Sequence, residues 1–220
     1  MLRNYLVTAY RSLYKHKAFT LINIAGLTLG LTACLLIGLF VYDELQYDKF
    51  IPEGDRIYRV YNDRTASENG GLVLPVPPMF GSTLGESIPE VDKVVRILMV
   101  QFEDNNLVEA GDKSIYEKGR TFAEPDFFEI FQLDFKYGSP VKALDDPSSI
   151  VISDAFSKRV FGNADPVGKE IMVNKLPYVV KGVFISNTKF HLPVNFVIPL
   201  AAAQIPEERM KRWSWQQFYT

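Results

Sequence analysis

The first hydrophobic stretch of the chain is also its longest. From Ala18 to Tyr42 it reads AFTLINIAGLTLGLTACLLIGLFVY, without one charged side chain. At about 1.5 Å per residue a helix of that length spans roughly 37 Å, against about 30 Å of bilayer hydrocarbon. The pattern therefore predicts a transmembrane helix over 18–42. Upstream, Leu2, Leu6, Ala9 and Leu13 recur at helical spacing, with Arg3 and Arg11 elsewhere on the wheel. That predicts a short amphipathic helix lying along the membrane surface; an extension of the membrane helix fits the same spacing. Within the span, Gly26, Gly30, Cys34 and Gly38 recur every four residues, and Asn23 lies near the same side. Small residues let a second helix approach closely, and an Asn inside a membrane favours a hydrogen-bonding partner. These five residues form a candidate helix-packing face.

Beyond Asp43 the apolar period shortens and changes repeatedly. Residues 56–62 (RIYRVYN) read as a strand, 63–71 as a polar loop, and the prolines at 75, 77 and 78 open a helix. Met79, Phe80, Thr83, Leu84 and Ile88 are its expected apolar side, and Pro89 ends it. Val91 to Phe102 is β-branched and alternating, a strand, and shorter strands are expected near 106–110, 113–117 and 119–123. Residues 125–131 form a short helix, 134–137 a strand, 140–147 a loop or single turn, and 149–152 a strand. Ser153 is placed to cap a helix over 154–161, and Gly162 to stop it. Strands over 169–173 and 178–185 pair around 174–177, a further strand covers 196–200, and a helix covers 206–213. Strands and helices mix without a βαβ rhythm, so the expected class is α+β.

Charge orients the span. Arg3, Arg11, Lys15 and Lys17 precede it, and no Asp or Glu occurs before Asp43. Basic flanks stay cytoplasmic, which makes residues 1–17 a cytoplasmic segment, 18–42 the crossing of the inner membrane, and 43–220 a periplasmic domain. A cleaved signal peptide needs an apolar core of about 7–15 residues and a small-x-small site. This span is longer, and Phe40-Val41-Tyr42-Asp43-Glu44 offers no such site. A helix buried inside a soluble protein would not need the charge asymmetry. From Asp43 onward lie all 26 acidic residues and 20 of the 24 basic ones, a formal charge of −6. Nucleic-acid binding calls for the opposite sign. Cys34 is the only cysteine, which leaves the outer domain without a disulfide or thiolate site, as suits an oxidising compartment.

Few residues suggest chemistry. Gly162 to Glu170 (GNADPVGKE) has five residues between its glycines where a phosphate loop needs four, and Glu170 stands where Ser or Thr would hold magnesium. His16 and His191 fall on opposite sides of the expected membrane and share no site. Asp145 and Asp146 are adjacent loop acids, Ser148 and Ser153 have no His nearby, and no GxSxG elbow occurs. Phe122, Phe127, Phe128, Phe131 and Phe135 read as core. No catalytic, cofactor or metal site is expected.

The sequence nonetheless resembles a known family. NIAGLTLGLTACLLIGLFVYDELQYDKF at 23–50 and RIYRV at 56–60, behind a basic start, look like the opening of ABC transporter permeases of the MacB, FtsX and lipoprotein-release type. FFEIFQLDFKYGSPVKAL at 127–144, PSSIVISDAFSKRVFGNADPVGKEI at 147–171, YVVKGVF at 178–184 and HLPVNFVIPL at 191–200 are similar to the MacB-like periplasmic core domain. The resemblance implies a cytosolic ABC ATPase partner whose nucleotide-driven closure moves the periplasmic domain to export or release a substrate. It also implies packing against other permease helices or a second permease copy, and contact with a periplasmic adaptor. Family members carry at least four membrane helices, so the resemblance implies that the chain is a truncated permease. The rivals are a single-pass anchor presenting a periplasmic interaction or sensing domain, and a membrane-tethered enzyme.

Overall fold

A computed structural model describes residues 2–63, 65, 71–98 and 105–220. Two compact units divide the chain, Met1–Tyr47 and Asp48–Thr220. The first is helical. Helix α1 runs Leu2–Lys15 and α2 runs Lys17–Glu44. His16, at φ −111° and ψ 51°, leaves the helical region and breaks one helix from the next. The Thr20 hydroxyl donates to the Leu13 carbonyl across the break at 3.0 Å, and His16 N–H still reaches Ser12 O at 3.2 Å. Helix α2 has 28 residues, about 42 Å of rise, and is long and apolar enough to cross a membrane.

The second unit is built on one mixed sheet. Its strands are β3 (Ile97–Leu98), β4 (Asn106–Ala110), β5 (Lys113–Glu117), β6 (Arg120–Ala123), β7 (Phe135–Gly138), β8 (Ser149–Ser153), β9 (Glu170–Val173), β10 (Leu176–Phe184), β11 (Phe196–Pro199) and β12 (Phe218–Tyr219). They lie in the order β12-β3-β6-β11-β8-β10-β9-β4-β5, with β7 also paired to β10. The β8/β10 and β6/β11 pairs are parallel, and the other pairs of this sheet are antiparallel. A separate ribbon joins β1 (Asn62–Asp63) to β2 (Leu72–Val73). The remaining helices are α3 (Pro78–Ser87), α4 (Phe127–Phe131), α5 (Asp154–Phe161) and α6 (Glu207–Met210). The class is α+β, as expected.

Side-chain alternation in the central strands explains the layering. Ile150 and Ile152 of β8, with Phe196 and Ile198 of β11, join Phe156 and Val160 of α5 in one core. Val151 and Val197, one residue out of phase, join Phe127, Phe128 and Phe131 of α4 in another. Successive strand residues point to opposite faces, so α5 covers one face and α4 the other. A strand covered on both sides reads as an unbroken apolar run, and all five residues of β8 are buried. The Ser153 hydroxyl accepts from Phe156 N–H at 3.1 Å, capping α5, and Gly162 at φ 68° ends it.

Several boundaries differ from the sequence expectation. The strand over 56–62 is reduced to Asn62–Asp63. Ile57 and Val60, its half-buried apolar residues, are an odd number apart and would face opposite sides of a strand. The strand over 91–102 keeps Ile97–Leu98, and residues 99–102 lie outside the described residues, as do 64 and 66–70 of the loop over 63–71. The ladder is interrupted at Arg96, whose N–H goes to the Glu124 carboxylate at 2.8 Å. The hairpin around 174–177 is tighter than expected. Asn174 and Lys175, at φ 50° and 69°, make a two-residue loop of the kind that matches strand twist. The helix over 206–213 shortens to Glu207–Met210. In α3, Pro78 and Gly81 are the buried residues, whereas Ile88 lies past the helix and is exposed.

Candidate functional site

The five residues of the candidate packing face all lie on α2, and all are exposed. At 3.6 residues per turn, Asn23, Gly26, Gly30, Cys34 and Gly38 fall within an arc of about 120°. A Cβ built at Gly26, Gly30 or Gly38 would meet nothing within 4 Å, and the Cys34 thiol is free. No residue of α2 is buried. The helix thus presents a smooth strip, narrow enough for a second backbone to approach.

Behind α2 the chain turns through Leu45, Gln46 and Tyr47, whose N–H groups donate to Val41, Asp43 and Glu44 carbonyls. The second unit then begins on a fastening. Asp48, in the left-handed region at φ 59°, donates its N–H to Lys189 O at 2.8 Å. Its Oδ1 accepts from His191 N–H at 3.0 Å, and its Oδ2 lies 2.7 Å from His191 Nδ1. Two residues on, the Phe50 ring meets Phe190 edge to face at 5.8 Å, and Phe190 meets Phe131 of α4 at 5.2 Å. Ile51 is buried in the same cluster. The loop that accepts this clasp is itself tied, because Phe190 N–H and Lys189 N–H both bond to Asn187. The first residues of the domain are therefore joined directly to its core. In the sequence His191 falls between the strands expected over 178–185 and 196–200, and no local signal pairs it with Asp48, 143 positions away.

Other polar groups serve the scaffold. Arg96 binds Glu124 through backbone and guanidinium and donates to Pro78 O at 3.2 Å. The pair borders a cleft of about 330 Å³ with Leu144, Leu200 and Met210 among its walls. Glu117 takes Arg159 of α5 at 2.6 Å and Asn195 at 3.0 Å, holding helix, hairpin and loop together. Lys93 pairs with Glu129. Asp146 closes a turn on Ser148, whose hydroxyl and N–H hold the carboxyl below its ordinary range; Asp145 makes no such turn. Burial works against ionising Asp154, but the Ser186 hydroxyl at 2.6 Å, the Ser186 N–H and the Ala155 N–H outweigh it and keep that carboxyl low. Asp126 is pushed the other way, by burial first and then by Glu129.

The glycine loop over 162–170 follows α5 rather than a strand. Its Gly168 N–H is spent on Val180 O, and its Val167 N–H on Asp165 Oδ1, so it is a turn and not a phosphate cradle. Among the described residues no three His, Cys, Asp or Glu side chains gather to hold a metal. Phe127, Phe128 and Phe131 are fully in the core, with Phe122 and Phe135 half-buried against it.

Comparison with known proteins follows the same outline. The family model of the MacB-like periplasmic core domain matches residues 20–219. A search of curated proteins gave no significant match. Among solved structures, a domain described as that of a permease protein from Porphyromonas gingivalis is similar at TM-score 0.63 and 20% identity, over 77% of this chain and 73% of that one. The periplasmic region of MacB from Actinobacillus actinomycetemcomitans follows at TM-score 0.48 and 17% identity, over 66% and 64%. The extracellular domain of YknZ, a noncanonic ABC-type transporter from Gram-positive bacteria, follows at 0.46 and 13%, over 77% and 76%. The first of these likenesses shows a shared fold.

Proposed function

The chain belongs to the MacB-like periplasmic core domain family of ABC-type permeases, and from this premise we propose that it is a permease subunit working with a separate cytosolic ABC ATPase. Residues 1–17 lie on the cytoplasmic side, 18–42 cross the inner membrane, and 43–220 form the extracytoplasmic domain. ATP-driven closure of the ATPase shifts the membrane helices against one another. The strip of Asn23, Gly26, Gly30, Cys34 and Gly38 packs on another permease helix or on a second copy, so α2 moves with its neighbours. The segment after α2 is short and hydrogen-bonded, and the Asp48–His191 clasp passes that movement to the core through Phe190 and Phe131. A periplasmic adaptor is a further partner of this reading; nucleic acid is not. The family is one of permease domains rather than of enzymes.

The observation that carries the reading is the family match itself, which runs from Thr20 within α2 to Tyr219 of β12. Helix and domain belong to one module. Purification of the full chain from its native membranes in mild detergent tests it. An ABC ATPase identified by mass spectrometry at stoichiometric yield is expected, and Gly30→Leu, which raises helix propensity but fills the strip, should reduce that yield. A chain that purifies without any ABC ATPase from membranes that retain other intact transporters would sink the proposal.

A further inference from the structure

The elbow between α1 and α2 holds a feature that the permease reading does not use. A groove of about 300 Å³ opens there, lined by Tyr10, Leu13, Tyr14, Lys17, Leu21 and Ile24 among others. The break at His16 creates it. The Thr20 hydroxyl takes the Leu13 carbonyl that the broken helix frees, so the groove floor has no backbone acceptor left to hydrate at that point. Its walls are apolar side chains exposed to the surroundings, and its one charged group is the Lys17 ammonium, 4.3 Å from the Tyr14 ring centroid.

The charge at this end of the chain has no internal counterpart. Arg3, Arg11, Lys15 and Lys17 are accompanied by no carboxylate before Asp43. Asp43 is 26 residues beyond Lys17 on a continuous helix, roughly 39 Å away. The neutralising anion must come from outside the unit. An occupant that supplies an anion to Lys17 and a hydrocarbon along Leu21 and Ile24, at the height where a membrane helix enters the bilayer, is an anionic phospholipid. We infer that the α1–α2 elbow is a binding groove for one anionic phospholipid, its phosphate on Lys17 and an acyl chain against Leu13, Leu21 and Ile24. The inference rests on α2 crossing the membrane with α1 at its surface.

The test uses the full chain in detergent with equal phosphatidylglycerol and phosphatidylcholine, read by native mass spectrometry. The wild type should retain one phosphatidylglycerol in preference to phosphatidylcholine. Lys17→Gln should lower that preference about fivefold, the factor one Lys near an anionic surface contributes. Lys17→Arg should keep it, and Lys15→Gln, which removes the same charge outside the groove, should leave it nearly unchanged. Helix content by circular dichroism checks that each variant is folded. Equal retention of the two lipids, or equal losses for Lys15→Gln and Lys17→Gln, overturns the groove in favour of diffuse attraction. Alkaline carbonate separates the underlying reading: a chain washed from membranes overturns both, whereas a retained chain without lipid preference overturns the groove alone.

Discussion

Phe190→Ala is the perturbation that weighs most directly on the clasp. The ring is buried to 9% exposure and touches Phe50 at 5.8 Å, Phe131 at 5.2 Å and His191 at 5.2 Å. Removing a core Phe costs about 3–5 kcal/mol, and the figure depends on how far the site collapses. Phe190 sits on a loop at the margin of its cluster, where collapse is easiest, so the expected cost is about 3 kcal/mol. Of that, each lost aromatic pair accounts for roughly 0.5–1.5 kcal/mol. Urea unfolding of the purified chain in detergent, followed by the fluorescence of Trp213 and Trp215, measures it. Hydrogen exchange locates it. The Asp48 and His191 amides, bonded to Lys189 O and Asp48 Oδ1, should lose protection by more than the global loss of stability explains, whereas the β8 amides should follow the global loss alone. A cost below about 1 kcal/mol together with unchanged exchange at Asp48 and His191 would refute the claim that this loop fastens the start of the domain to its core.

Four further outcomes follow from other contacts. Gly182→Ala places a Cβ 2.5 Å from Phe135 Cε1 and 2.9 Å from Cδ1, and should destabilise by about 1–3 kcal/mol through overpacking; adding Phe135→Leu should recover part of the loss in the same unfolding assay, and strict additivity would contradict the contact. Ser153→Ala removes the α5 cap and should cost about 1 kcal/mol in the same assay; an unchanged unfolding midpoint would contradict the cap. Asp154, held below its ordinary range once its bonds to Ser186 outweigh burial, stabilises the fold above the unfolded carboxyl pKa of about 3.9, and that contribution is lost as pH falls through the lower folded value. Asp154→Asn should therefore flatten the acid limb of the melting temperature against pH, while Asp126→Asn, at a carboxyl pushed up by burial and Glu129, should raise the melting temperature at pH 7.

How much of this was legible in the sequence depends on the range over which each feature is determined. The α2 span and the Ser153–Gly162 limits of α5 are set by neighbouring residues, and the chain states them plainly; the hairpin is legible as well, but with a loop of 174–177 where the structure needs only 174–175. Residues 149–152 (SIVI) read as a strand, but that both faces are covered follows only from α4 and α5 packing on either side of it. The strand over 56–62 does not form despite its aromatic and β-branched content, because Ile57 and Val60, three residues apart, would face opposite sides of it. The Asp48–His191 clasp and the Arg96–Glu124 pair join residues 143 and 28 positions apart, and nothing local marks either partner. The strip on α2 is a different case: its five residues are visible as spacing alone, on a helix none of whose residues is buried.

The proposed function requires one arrangement: α1 inside the cell, α2 through the membrane, and the domain from Asp48 onward outside. Cysteine accessibility measures it. In a Cys34→Ser background, Ser12→Cys on α1 and Ser114→Cys on the edge strand β5 are both exposed positions. Spheroplasts treated with a membrane-impermeant maleimide should label Ser114→Cys fully and Ser12→Cys only after lysis. Labelling of Ser12→Cys in intact spheroplasts, or protection of Ser114→Cys until lysis, would contradict it.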